Sequence, residues 1–416
     1  MRVRLPVAAV LFAMLAACSS LPLLGGDGET QKITLSGEIT RADHQTYKEI
    51  PFTVPRGVKA ITVDFAYTGK ENRTVIDLGL RDPSGQRGWS GGNKATFTVG
   101  EFEATPSYLP GKIQPGEWRL VLGVPNIRGG QTAHYEAGIT FSMQGGKKRK
   151  VSLTTDPVIS AKPGWRRGDF HTHTGHSDGA CDDGSGTRKP CALLETVEAA
   201  RDAKLDFIAV TDHNTLSHRD PMRELQAAFP NLLLIPGEEI TTFQGHANAI
   251  GVSEPLEFQL GSARLPSLDG LLDETAAQGA FLSVNHPGQP SGEACMGCGW
   301  TVKNTDWSRI TAIEAVNGAT LRMGDAEGPT SGIPFWDELL KRAQRITAIG
   351  GSDNHDPTDR TGARQSPVGK PATVVYAEAL SARGIVEGVR SGRVFIDLTG
   401  SPAAMLDAET RIGAQV

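Results

Sequence analysis

From Gly168 onward the chain alternates short apolar runs with amphipathic segments, and this alternation limits its fold more than any other feature. Phe207-Ile208-Ala209-Val210, Leu232 to Ile235, Phe281 to Val284, Ile310 to Val316 and Ile346 to Ile349 read as strands covered on both faces. Leu193 to Ala203, Met222 to Phe229, Leu268 to Gln278 and Pro334 to Arg345 carry helical spacing between them. Strand then helix, repeated about seven times over roughly 230 residues, predicts a parallel α/β barrel that is closed or nearly closed. A strand at Thr373 to Tyr376, a helix at Ala382 to Ser391 and a strand at Val394 to Leu398 complete it. Residues 32–145 follow a different rule. Runs such as Ala60-Ile61-Thr62-Val63-Asp64-Phe65 alternate apolar and polar residues, with turn clusters such as Asp82-Pro83-Ser84-Gly85 between them, which predicts a smaller all-β sandwich.

The N-terminus has its own grammar. Arg2 and Arg4 precede an apolar stretch from Leu5 to Ala17, too short for a membrane span of about 20 residues and suited to a cleaved export signal. Leu15-Ala16-Ala17-Cys18 resembles the bacterial lipobox, in which the Cys is acylated. That resemblance implies a cell-envelope lipoprotein held to the membrane through Cys18. Ser19 in the next position favours the periplasmic face of the outer membrane. The expected order is a signal at 1–17, a tether at 18–31, the sandwich at 32–145, a linker at 146–164 and the barrel at 165–416. With 42 Lys plus Arg against 47 Asp plus Glu, the net charge of -5 provides no field to hold nucleic acid.

Cys181, Cys191, Cys295 and Cys298 remain after Cys18, an even number in an oxidising compartment, so disulfides are expected. Pairing 181 with 191 and 295 with 298 is favoured among three connectivities. A zinc site built from all four thiolates is the alternative.

Eight of the ten histidines fall between His171 and His355. His171 and His173 close a short strand, and Asp212-His213 follow Phe207 to Thr211. Glu238 and Glu239 follow Leu232 to Gly237, His286 follows Phe281 to Asn285, and Asp353 and His355 follow Ile346 to Ser352. Strand C-termini of a parallel barrel open on one face, so groups distant in sequence meet there. His-x-His sets two imidazoles on one side of a strand. Imidazole and carboxylate without thiolate suit zinc, manganese or iron, and so many donors exceed what one ion uses. Two or three divalent ions are expected, with zinc or manganese favoured and iron possible.

His171-Thr172-His173-Thr174-Gly175-His176-Ser177-Asp178-Gly179, Thr211-Asp212-His213-Asn214, Gly237-Glu238, Asn285-His286-Pro287 and Gly351-Ser352-Asp353-Asn354-His355 resemble the polymerase and histidinol phosphatase (PHP) superfamily. Gly245-His246-Ala247-Asn248 and Gly392-Arg393-Val394-Phe395 look like its carbaryl-hydrolase-type (CehA/McbA) branch. The resemblance implies a distorted seven-stranded TIM-like barrel with a bi- or trinuclear centre. His171, His173 and Asp353 would hold one ion with Glu238 as a bridge. His246 and His286 would complete the second ion's set, and Asp178, His213 and His355 would form the third.

Two cations sharing a water lower its pKa toward about 7 and supply a bridging hydroxide to attack an ester. His176 or His218, each just past a ligand, would protonate the leaving group. Arg360 and Arg364 would pair with a phosphate, and Glu314 would contact substrate or support a ligand. The expected activity is therefore hydrolysis of a small phosphate ester. A carboxyl or carbamate esterase is the alternative, and a noncatalytic binding protein the third reading.

Overall fold

The structure, a computed structural model, describes residues 30–148 and 151–399. The signal at 1–17, Cys18, nearly all of the tether, Arg149-Lys150 in the linker and the tail from residue 400 lie outside the described residues.

Two four-stranded antiparallel sheets occupy residues 31–142. One has the order Gln31–Thr40, Thr132–Ser142, Ala60–Tyr67, Thr96–Gly100. The other has the order Tyr47–Val54, Gly116–Asn126, Val75–Asp82, Gly85–Gly91. Ile61, Val63 and Phe65 are buried while Asp64 is exposed, the period of two that builds a half-covered strand. Ile61 and Val63 from one sheet share a single core with Ile76, Leu78 and Trp118 from the other.

Residues 164–397 form a nine-stranded sheet in the order Thr347–Gly351, Ala312–Asn317, Phe281–Val284, His246–Ile250, Leu233–Thr241, Phe207–Val210, Gly164–Asp169, Ala372–Ala377, Val394–Asp397. It is nearly closed. Thr373 Oγ1 accepts from the Gly350 amide at 2.8 Å and donates to the Gly350 carbonyl at 2.7 Å, drawing the first strand in this order toward the eighth. The sheet is mixed rather than all-parallel, and it has more strands than the seven expected. His246–Ile250 runs antiparallel to both its neighbours, and Ala372–Ala377 does the same. Only Thr242 to Gly245 joins Leu233–Thr241 to His246–Ile250, which is hairpin length and leaves no room for a crossover helix. This reversal matters for the site. Because its strand runs backwards, His246 starts at the face where the parallel strands end.

Helices Leu193–Asp202, Arg219–Leu225, Leu268–Ala277, Ile333–Lys341 and Ala382–Arg390 lie close to the expected positions. Ala382–Arg390 is capped by Ser381, whose hydroxyl accepts from the Gly384 amide at 3.1 Å, and it buries Ile385, Val386 and Val389. Among the described residues no helix is long and apolar enough to cross a membrane.

The β-rich unit packs on the loops that leave the barrel's strand ends. Tyr47 stacks on Phe243 with ring centroids 4.7 Å apart, and Trp89 meets Phe258 at 4.8 Å. Gln86 donates to the Asn214 carbonyl at 2.8 Å, the Ser107 amide to Ser217 Oγ at 2.9 Å, and Lys94 to the Gly175 and Ser177 carbonyls at 3.1 and 3.3 Å. Those partners flank His173, Asp178 and His213, so the smaller unit braces the segments that carry the site.

Candidate metal centre

One carboxylate organises the centre. Glu239 Oε1 lies 3.4 Å from His171 Nε2, 3.5 Å from His246 Nδ1 and 3.5 Å from His286 Nε2. Its Oε2 lies 3.4 Å from His173 Nε2 and 2.8 Å from His213 Nδ1. Asp353 Oδ1 stands 3.2 Å from His171 Nε2 and 3.1 Å from His173 Nε2. Asp178 Oδ1 reaches His355 Nε2 at 3.3 Å and His213 Nε2 at 3.7 Å. Four overlapping donor sets result: His173, Asp178, His213, His355; His171, His286, Asp353; His171, His173, Glu239; and Glu239, His246, His286. In each, the donor atoms lie within 4.8 Å of one another. Eight of the nine expected ligands, all but Glu238, therefore converge here.

Glu238 does not. Its side chain is buried away from the imidazoles, where Oε2 accepts from the Leu256 amide at 3.1 Å, and burial pushes its carboxyl up to about 8. Alternate residues of a strand face opposite ways, and Glu239 shares parity with Leu233 and Ile235, which fill the barrel interior. Leu234 has the parity of Glu238 and packs in a different cluster, with Val197 and Met222. The central position expected of Glu238 is thus occupied by Glu239.

Five of the six imidazoles, all but His173, are oriented from behind. His171 Nδ1 meets Glu314 Oε1 at 2.9 Å, His213 Nδ1 meets Thr241 Oγ1 at 2.6 Å, and His355 Nδ1 meets the Asp353 carbonyl at 2.9 Å. His246 Nε2 faces the Met296 carbonyl at 3.2 Å, and His286 Nδ1 faces the Cys298 carbonyl at 2.8 Å. Asn285 donates to Glu239 Oε1 at 2.8 Å, and Asn317 to Asp353 Oδ2 at 3.1 Å. Such outer partners fix tautomer and ring orientation at metal sites. Glu314 belongs to this layer rather than to a substrate contact, because its other oxygen accepts from the His286 amide at 2.9 Å. Gly351 must lack a side chain, since a Cβ there would press on His171 and Glu314. Asp353 and His286 hold positive φ of 53° and 29°, backbone strain of the kind stored at functional sites.

Charge is balanced by proximity. Burial pulls His213 and His355 down, but Glu239 and Asp178 outweigh it for His213, and Asp178 and Asp353 for His355. The two rings are held at about 9 and about 10. His171 is likewise raised, by Asp353, Glu314 and Glu239 against burial. Burial, with His355 and His213, takes His173 down to about 4. Burial opposes the charge on Glu239 and Asp353, yet the imidazoles hold both well below the usual carboxylate range. His171 Nε2 is buried without a hydrogen bond of good geometry, although Glu239 Oε1 and Asp353 Oδ1 stand 3.4 and 3.2 Å away. A buried donor left free at the focus of a nitrogen and oxygen set suits a divalent cation, so the residues fit divalent metal ions.

The expected acids and arginines fare differently. His218 is buried between Asp212 Oδ2 at 2.9 Å and the Gly237 carbonyl at 3.0 Å, so it props the scaffold. His176 Nδ1 meets Ser217 Oγ at 2.7 Å, and burial lowers it to about 4, which favours the neutral imidazole at pH 7. Arg364 grips Asp356 at 2.7 Å and Arg360 lies 3.6 Å from Asp202, so both have acidic partners of their own. Asp212 is a structural tie that accepts from Thr174 and Ser177. The cysteines pair 181 with 191 and 295 with 298, which removes the four-thiolate zinc alternative.

Neither a protein-family model nor a curated protein matches the sequence. Among solved structures, the chain is similar to a two-domain protein from Bacteroides vulgatus, described as containing a predicted PHP-like metal-dependent phosphoesterase. The identity is 25%, over 60% of this chain and 69% of that one, with a TM-score of 0.41. It is also similar to a candidate metal-dependent phosphoesterase from Bifidobacterium adolescentis at 16% identity, over 48% and 91% of the two chains, with a TM-score of 0.32. At these scores the functional reading rests on the geometry of the centre itself.

Proposed function

We propose that the protein is a metal-dependent hydrolase of small phosphate esters. The observation that carries this reading is the single carboxylate of Glu239 shared by five imidazoles, with Asp353 and Asp178 alongside. Divalent ions held there would activate water at neutral pH and stabilise charge growing on the ester oxygens. The chain's own part is to hold the donors. Glu239 would bridge the ions with Asp353 and Asp178 beside it, and Glu314, Thr241 and the carbonyls of Met296 and Cys298 orient His171, His213, His246 and His286. Three divalent cations would outweigh the charges of Glu239, Asp353, Asp178 and the adjacent Glu314, so an anionic phosphate could be held even though Arg360 and Arg364 are paired elsewhere.

That same engagement of the arginines supports the second reading, a carboxyl or carbamate esterase of the CehA/McbA type, whose substrate needs no cationic partner. Protein loaded with zinc or manganese and assayed on p-nitrophenyl phosphate, its diester and an aryl ester separates the two. Turnover of a phosphate substrate is the expected result. Turnover of the aryl ester alone would establish the second reading, and no turnover of any would leave a binding protein.

We place this hydrolase in the cell envelope, tethered through Cys18. Two disulfides support an oxidising compartment. Cys18→Ala is expected to move the chain from the membrane fraction to the soluble fraction, and unchanged membrane recovery would exclude the anchor.

A further inference from the structure

The segment Gly292 to Gly299 is closed on itself by the Cys295–Cys298 disulfide, and its backbone reaches the centre at two points. A carbonyl can only accept, so His246 carries its hydrogen on Nε2, toward Met296, and His286 carries its hydrogen on Nδ1, toward Cys298. The opposite nitrogens, His246 Nδ1 and His286 Nε2, each stand 3.5 Å from Glu239 Oε1. The loop therefore decides which nitrogen of both rings is free to ligate.

Its seating is tight. Gly292 and Cys295 exchange backbone bonds at 3.0 and 3.1 Å, and Ser291 Oγ accepts from the Gly299 amide at 2.9 Å. Gly297 has φ +78°, and a Cβ there would collide with the Thr242 carbonyl. Gln45 of the β-rich unit donates to Met296 Sδ at 2.9 Å. The other donor set, His173, Asp178, His213 and His355, takes no contact from this loop's carbonyls; its outer bonds come from Thr241 and Asp353.

We propose that the disulfide-closed loop Gly292 to Gly299 is a positioning element for the Glu239–His246–His286 subsite, so that opening the Cys295–Cys298 bond weakens cation binding there and spares the His173–Asp178–His213–His355 subsite. The proposal rests on the metal-centre reading. Without the crosslink the loop regains backbone freedom, and ordering both carbonyls again carries an entropic cost that is drawn from ion affinity.

The test uses the full chain loaded with zinc, passed through gel filtration, with zinc counted by elemental mass spectrometry and affinity measured against a chromophoric chelator. Cys295→Ser with Cys298→Ser is expected to lose one zinc equivalent relative to the natural chain, or to bind its weakest zinc about 10–100-fold less tightly, as removal of outer partners does. Gly297→Ala should do the same with both cysteines intact. Cys181→Ser with Cys191→Ser, a pair that meets the His355 carbonyl of the other subsite and neither His246 nor His286, should keep that equivalent. Unchanged zinc content and affinity in both loop variants would overturn the proposal, as would equal loss from both disulfide pairs. A natural chain that binds no zinc or manganese at all would instead overturn the metal-centre reading, and this proposal with it.

Discussion

Glu239→Gln is expected to strip the protein of bound metal and of activity, while Glu238→Gln leaves both near their natural levels. The two residues are adjacent and chemically identical, so the contrast isolates geometry. Glu239 is the common neighbour of five imidazoles at 2.8 to 3.5 Å, and Gln would replace a bridging anion by a neutral amide that presents hydrogens to cations. Its loss should exceed the roughly 10–100-fold in affinity that follows removal of an outer partner. In metal-free protein the same change removes one of the counterions of buried His171 and His213, leaving Asp353, Glu314 and Asp178, so it should cost less than the roughly 3–5 kcal/mol of a buried pair that loses its one partner. Glu238 meets only the Leu256 amide, and with its carboxyl raised to about 8 it is mostly protonated at pH 7, a state that Gln mimics closely. Metal content by elemental analysis, turnover and urea unfolding of both variants read the difference. Retention of metal by Glu239→Gln would show that this carboxylate does not bridge.

Metal binding at pH 7 is expected to expel more than one proton, with affinity climbing as pH rises toward about 9. In the metal-free chain burial opposes protonation of His213 and His355, yet Glu239, Asp178 and Asp353 hold them at about 9 and about 10, and His171 is held well above the ordinary imidazole value. Ligation needs neutral imidazole, so each must release its proton. His173, already down at about 4, releases none. Each proton released steepens the affinity by up to about tenfold per pH unit. Titration calorimetry at pH 7 in buffers of different ionisation enthalpy measures the release directly, and zero release would contradict the charge pattern. The stability of the metal-free chain follows with the opposite sign. The three raised imidazoles contribute fully below their unfolded value near 6.5, and that contribution fades as pH rises through about 9 to 10. Their carboxylate partners are held low, so their share is present above about 4 and is lost as acid protonates them. Metal-free protein should therefore unfold more readily at pH 10 than at pH 7, and bound metal should remove that alkaline weakness.

Much of the barrel was legible because burial on both faces leaves a compositional mark. Phe207 to Val210 is apolar at every position and Phe281 to Val284 at every position but Ser283, and each strand lies where it was read. The helices could be placed because the 3.6-residue period of Leu193–Asp202 and Ala382–Arg390 survives in their buried residues. The reversed strand at His246–Ile250 was not legible as such. Ala247, Ala249 and Ile250 are buried as in a parallel strand, and direction leaves no trace in composition. The arginines misled for a related reason: Asp356 in a loop and Asp202 at a helix end, which take up Arg364 and Arg360, carry no mark in sequence that sets them apart from other acids.

The amino-acid order alone determined that imidazoles and carboxylates collect at strand ends, because runs such as Leu232 to Gly237 and Ile346 to Ser352 place them there. It also carried the His-x-His spacing and the even set of cysteines. Only the tertiary structure decided between Glu238 and Glu239. When Leu233, Leu234 and Ile235 are all apolar, neither parity of the strand is marked as the inner one, and the choice is made by the curvature of the closing sheet. The same holds for the carbonyls of Met296 and Cys298. Every residue has a carbonyl, and which ones face an imidazole depends on where a crosslinked loop comes to rest.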